Sequence, residues 1–274
     1  MNKPVVPNEL GSGDILERDD RDGIVTLTLN RPKARNSLSE ELMAALQRAL
    51  DGFAGDDAVR AVIIAATGPA FCAGHDLKQM TARRSDPDRG RAYFQDLLGQ
   101  CSTLMQSIVR CPKPVIAQVH AIASAAGCQL VASCDLAIAG ESAGFCTPGV
   151  NIGLFCSTPM VALSRNVTRK HAMEMLLTGD TVSAAKAAEV GLVNRVVPDA
   201  DLAEATRAMA QQIASKSAHT IKVGKEAFYR QLEMDLAGAY DYASEVMTEN
   251  MLARDAEEGI GAFIEKREPK WEDR

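Results

Sequence analysis

No stretch of this 274-residue chain approaches the ~20 consecutive apolar residues that a membrane-crossing helix needs, so no membrane span is expected. The opening segment "MNKPVVPNELGSGD" lacks the apolar core of a secretory signal and the Arg-rich amphipathic pattern of a transit peptide. Cysteine pairs at C-x-x-C spacing are also missing. The seven cysteines (Cys72, Cys101, Cys111, Cys128, Cys134, Cys146 and Cys156) are odd in number and widely spaced, which argues against a disulfide framework and a structural zinc site. The four histidines (His75, His120, His171 and His219) show no ligand spacing such as H-E-x-x-H, so no metal is expected. Positive charge is not in excess either: the net charge is -6 and the pI about 5.4, which argues against nucleic acid as the main partner. Reduced thiols without an export signal make the cytoplasm the expected location.

What is present is enough apolar sequence, 46%, for one large core with a smaller appendage. Residues 1–13 read as a loose leader. "GIVTLTLN" (23–30) alternates and is rich in β-branched residues, as a strand requires. A helix follows, with Ser37 and Glu40 at capping-box spacing and Leu38, Leu42, Ala45, Leu46, Ala49 and Phe53 on its buried face. "VRAVIIAA" (59–66), "CPKPVIAQVHA" (111–121) and "LAIAG" (136–140) are further buried strands, with a helical pattern over 88–110. Residues 144–160 are dense in Gly, Pro, Cys, Ser and Thr and suggest an irregular functional loop. "KHAMEMLLTG" is a helix stopped by Gly179, Ser183 caps "AAKAAEV" ahead of Gly191, and "LVNRVV" is a strand. Strands alternating with helices make this an α/β protein. After Pro198 only helical patterns remain, which divides a core at 14–205 from a helical region at 206–274.

Several stretches could carry chemistry. "GESAG" (140–144) fits the G-x-S-x-G of serine hydrolases, but that elbow needs a helix after the serine, and "FCTPGVNIG" follows instead. "FCAGHDLK" (71–78) and "SAAGC" (124–128) are small-residue turns after buried strands, where backbone N–H groups are free to hold an oxyanion. Two such turns can converge on one carbonyl oxygen, although spacing alone does not show it. Lys33, Arg35 and Lys78 lie in loops after the first strands, where α/β proteins bind ligands, and each is singly consistent with a solvated surface charge.

Together "LNRPKARNSL", "VRAVIIAATGPAFCAGHDLK", "PKPVIAQVHAIASAAGCQLVASCDLAIA", "LLTGDTVSAAKAAEVGLVNRVVP" and "EEGIGAFIEKREPKW" resemble the crotonase, or enoyl-CoA hydratase/isomerase, superfamily, in family order from about 14 to 271. "AAGCQLVASCD" and "TPGVNIGLFCSTP" are most like the branch called enoyl-CoA hydratase domain-containing protein type 3. The resemblance implies a spiral core of ββα repeats and a C-terminal α-helical region that builds trimers or dimers of trimers. It also implies an acyl-CoA ligand. Its thioester oxygen would meet the backbone N–H groups of His75 and Ala126, and Lys33, Ala34, Arg35, Asp76, Leu77 and Lys78 would line the CoA site. Phe263 and Lys266 resemble C-terminal residues that reach the CoA of a neighbouring subunit.

The same resemblance locates a gap. Family hydratases hold water between two glutamates, and those positions align with Gln129 and Gly149, neither of which can transfer a proton at pH 7. One expectation is therefore an enzyme that stabilises an enolate with an unusual proton carrier. Candidates are the His75 side chain, a bicarbonate beside Gly149 as in some dihydroxynaphthoyl-CoA synthases, and, more weakly, the thiols Cys146 and Cys156. The other expectation is a non-catalytic acyl-CoA binder on the same scaffold. No further cofactor is expected.

Overall fold

The computed structural model describes residues 14–274; the leader expected over 1–13 lies outside the described residues. Strands β1 (Leu16–Arg21) and β2 (Ile24–Leu29) form an antiparallel hairpin. Helix α1 (Glu40–Phe53) follows, then β3 (Ala61–Ala66), β4 (Ala70–Cys72), α2 (Leu77–Ala82) and α3 (Arg91–Arg110). The next turn is β5 (Val115–Val119), β6 (Ile122–Ser124) and α4 (Ala126–Ser133). Then come β7 (Leu136–Gly140), β8 (Gly144–Cys146), a 3-10 turn at Pro148–Ile152, α5 (Pro159–Asn166) and α6 (Arg169–Thr178). The last mixed turn holds β9 (Val182–Ser183), α7 (Ala184–Glu189) and β10 (Arg195–Val197). Helices α8 (Leu202–Ala214), α9 (Ala218–Gln231), α10 (Leu236–Met251) and α11 (Arg254–Glu265) complete the described chain.

Successive turns give one strand to each of two sheets. The larger runs β1-β2-β3-β5-β7-β10 and the smaller β4-β6-β8-β9. In β3-β4, β5-β6 and β7-β8 the first strand joins the large sheet and the second joins the small one, so each repeat advances the chain one step along a spiral. The α/β class and the crotonase-like spiral with a C-terminal helical region are as expected.

Side-chain chemistry explains the layers. Leu42, Leu46 and Phe53 on α1 are fully buried, in one cluster with Leu27, Ile64 and Leu104. On the other face of the large sheet, Leu202, Met209 and Ala210 of α8 cover Ile24, Ile63, Ile116 and Ile138. Burying Leu202 or Met209 contributes about 1.5–3 kcal/mol each. Helix α8 thus packs with the sheet, and the 205/206 boundary falls inside it; the helices lying off the sheet begin with α9.

The helix caps show one departure. Ser183 accepts from Lys186 N as expected, but α1 is capped by Ser39, whose side chain accepts from Leu42 N, and not by Ser37. Leu38 N donates to Gly74 O at 2.8 Å and Leu38 O accepts from Asp76 N at 3.2 Å, so Leu38 is held extended and the helix starts after it. Glu40 is then the first helical residue and cannot close a capping box.

Candidate active site

Strands β4, β6 and β8 are short, parallel and adjacent, with Cys72 paired to Ala123, Ala123 to Phe145 and Ser124 to Cys146. The chain therefore leaves all three at the same edge, and that edge collects residues 73–76, 125–129 and 147–149. A second contact adds the loop after β2. Ala73 N donates to Arg35 O at 3.0 Å, and Leu38 bridges His75. Asn36, fully buried at φ 52°, pins this loop by donating to the carbonyls of Thr67 and Ala70 and accepting from Arg31 N. Sequence reading missed Asn36; its signal was an amide tolerant of the left-handed region after a turn.

The two small-residue turns do come together. A Cβ at Gly74, which has φ +91°, would lie 3.0 Å from Ala125 Cβ and 3.4 Å from Ala126 N. Ala125 adopts φ 50°, ψ -115°, a strained conformation costing on the order of 1–3 kcal/mol, and is anchored by its N–H on Cys146 O at 2.9 Å. That twist opens α4 at Ala126, whose N–H is one of the unsatisfied donors of a helix start. Neither His75 N nor Ala126 N donates to another group among the described residues. Gly127 serves a different end: a Cβ there would collide with the Cys72 carbonyl, so this glycine seats α4 on β4.

Three polar side chains at this edge hold buried atoms that lack partners: both ring nitrogens of the half-buried His75, Gln129 Oε1 and Thr147 Oγ1. Burial lowers the His75 pKa, which keeps the ring neutral at pH 7. Leaving such atoms unpaired costs about 1–3 kcal/mol each, so each calls for a polar partner at this edge, water or ligand. Thr147, fully buried between β8 and the 3-10 turn, was not singled out in the sequence.

Gly149 is the one buried residue of the 3-10 turn, whose other residues are half-buried or exposed, and Leu154 N donates to its carbonyl at 2.9 Å. A Cβ at Gly149 would stand 2.7 Å from Leu154 O and 2.9 Å from Cys156 Sγ. The bicarbonate expected beside Gly149 would have to lie beyond the point where a side chain would start. The space where a side chain would start is held by a carbonyl oxygen and a sulfur, and the nearby thiols Cys128, Cys146 and Cys156 bring no cation.

The remaining expected residues divide. Lys33, Arg35 and Lys78 are exposed, with Ala34 half-buried beside them. Asp76 caps α2 through Lys78 N and pairs with Arg31 at 3.2 Å, and Leu77 is half-exposed. Phe263 and Lys266 are exposed on and just after α11, which packs on α9 and α10, so one chain does not bring them to the strand ends. Ser142 of "GESAG" is bonded through both N–H and hydroxyl to Asp199 and is followed by β8, so no nucleophile elbow forms. A shallow hollow of about 320 Å³ at the start of α3, lined by Asp88, Arg89, Phe94 and Leu98, takes no part in this arrangement.

A family model described as Enoyl-CoA hydratase/isomerase matches residues 19–274. The chain belongs to that family. This family member is 48% identical over 250 residues to human "Enoyl-CoA hydratase domain-containing protein 3, mitochondrial", covering 91% of this chain and 81% of that protein. A crystal structure described as an enoyl-CoA hydratase from Mycobacterium smegmatis superposes with a TM-score of 0.90 at 53% identity, covering 94% of this chain and 99% of that one. The crystal structure of the human relative gives 0.89 at 46% identity, with coverage of 94% and 100%. The human relative's name places that protein in mitochondria, which a cytoplasmic expectation for this family member did not anticipate. The expectation rested on reduced thiols, and all seven cysteines are buried and free, but reduced thiols suit any reducing compartment. Among the described residues no helix is long and apolar enough to cross a membrane.

Proposed function

We propose that this enoyl-CoA hydratase/isomerase family member binds acyl-CoA thioesters and polarises the thioester carbonyl between the backbone N–H groups of His75 and Ala126. The observation that carries the reading is the pairing of two donors without acceptors at adjoining strand ends, with Gly74 against Ala125 and Ala126. Such donors stabilise a developing enolate oxygen, and losing one from an oxyanion hole costs about 10²–10³ in rate. Lys33, Arg35 and Lys78 supply positive charge for the phosphates of CoA beside this edge. Phe263 and Lys266 act across a subunit boundary in a trimer or dimer of trimers. The chemistry is of lyase or isomerase type through an enolate, with ordinary hydration weak because Gln129 and Gly149 offer no carboxylate.

The same absence favours a second reading, a non-catalytic acyl-CoA binder. Calorimetry with CoA, acetyl-CoA and longer enoyl-CoAs tests the binding shared by both, with Kd expected in the micromolar range, near -8 kcal/mol. No heat with any thioester would remove both readings. Mass analysis of the same mixtures separates them, since only the enzyme changes the thioester.

A further inference from the structure

Cys156 sits where the missing side chain would be. Its Sγ lies 2.9 Å from the position of a Gly149 Cβ, against the start of the 3-10 turn. Leu154, two residues earlier, closes the turn through its bond to Gly149 O, so the 154–156 segment is folded in against this position. Cys128 on α4 and Cys146 at the end of β8 are the other thiols close enough to interact with it. Two more observations mark the place as a ligand site. Gln129, adjoining Cys128 and 5% exposed, has Oε1 without a partner, and Thr147, between Cys146 and Gly149 and 0% exposed, has Oγ1 without one. The glycine thus admits a sulfur from elsewhere in the chain.

We propose that the Cys156 thiol is the proton carrier of this site, moving a proton to and from the α-carbon of a bound acyl-CoA. The inference rests on the acyl-CoA reading above. In one direction the thiolate takes a proton from Cα; the C–H bond breaks, its electron pair moves onto the thioester oxygen held by His75 and Ala126 N–H, and an S–H bond forms. In the other direction the S–H proton returns to Cα and the carbonyl re-forms, so nothing is oxidised or reduced. Burial raises the thiol's pKa, which keeps most of it protonated at neutral pH and suits it to the donor half of this exchange.

The experiment is exchange of the α-hydrogens of butyryl-CoA in D₂O, followed by mass spectrometry with the full chain. Cys156→Ala and Cys156→Ser are compared with wild type and with Cys111→Ala, a buried thiol at the end of α3. Wild type is expected to exchange, and both Cys156 variants to lose about 10²-fold in rate while binding butyryl-CoA within about threefold of wild type. Cys111→Ala should keep the wild-type rate. Wild-type exchange should also climb with pH between 6 and 9, with that slope absent from Cys156→Ser, which a packing defect alone would not produce. Wild type that binds butyryl-CoA without exchanging it, or Cys156 variants that exchange as fast as wild type, would overturn the proposal. No binding by wild type would instead remove the acyl-CoA reading, and the proposal with it.

Discussion

Lys225 Nζ stands 2.6 Å from Asp135 Oδ2, and Tyr229 OH lies 2.9 Å from the other oxygen of the same carboxylate. Lys225 also donates to the carbonyls of Ile108 and Lys113, while Asp135 accepts from Val115 N. One residue pair thereby ties α9 to the end of α3 and the start of β5 and β7. The lysine side chain is 8% exposed, so removing it leaves a carboxylate largely shielded from water with no countercharge. Lys225→Ala should destabilise by about 3–5 kcal/mol, and Tyr229→Phe by about 1 kcal/mol, in urea unfolding. A Lys225→Ala loss below about 1 kcal/mol would show that the pair is dispensable.

His75 makes stability depend on pH with a defined sign. Burial lowers its pKa in the folded protein, so below the unfolded value of about 6.5 the unfolded chain binds more protons. Stability should therefore fall as pH drops from 7 toward 5. His75→Gln should flatten that part of the curve, read as melting temperature against pH. Equal slopes for the two proteins would contradict the assignment.

Restoring carboxylates tests whether the site is only missing its acid and base. Wild type should hydrate crotonyl-CoA far below the ordinary 1–10³ s⁻¹ of enzymes. Gln129→Glu changes little in volume and should fold. Gly149→Glu meets Leu154 O and Cys156 Sγ, and such overpacking costs about 1–3 kcal/mol. The double variant should accordingly be destabilised and gain little hydration, because an error of 1 Å in placement costs about 10²-fold. A double variant that gains about 10²-fold at the wild-type melting temperature would mean that the 154–156 segment yields easily.

Much of the scaffold was legible because its strands are buried and β-branched. "IVTLTL" and "AVIIAA" became β2 and β3 with small shifts at their ends. Strand β1, "LERDDR", was not legible: it is a polar edge strand, exposed over its second half, and pairs along its length with β2. The site-forming strands β4, β6 and β8 are three residues each, too short to show a period, and their pairing joins segments about 20–50 residues apart. Motif resemblance could name His75, Ala126, Gln129 and Gly149. It could not show that Leu154 and Cys156 fold back on Gly149, because that contact depends on the conformation of the loop.

The C-terminal helices leave one more question for solution measurement. On α10, Leu236, Tyr240, Met247 and Met251 are all exposed and fall at i, i+4, i+11 and i+15, one stripe along the helix. Leu252, Phe263 and Ile264, exposed at 77%, 85% and 73%, extend the apolar surface onto α11. An exposed apolar stripe of this length marks an interaction surface, and a second and third copy of this chain are the partners we propose for it. Sedimentation at micromolar concentration should give three or six times the 29.3 kDa of one chain. Leu236→Glu combined with Tyr240→Glu should shift the distribution toward the single chain, since each buried carboxylate would lack a partner in the assembly. A wild-type species of 29.3 kDa would show that the stripe is not covered by copies of this chain and would leave Phe263 and Lys266 without a neighbouring site to reach.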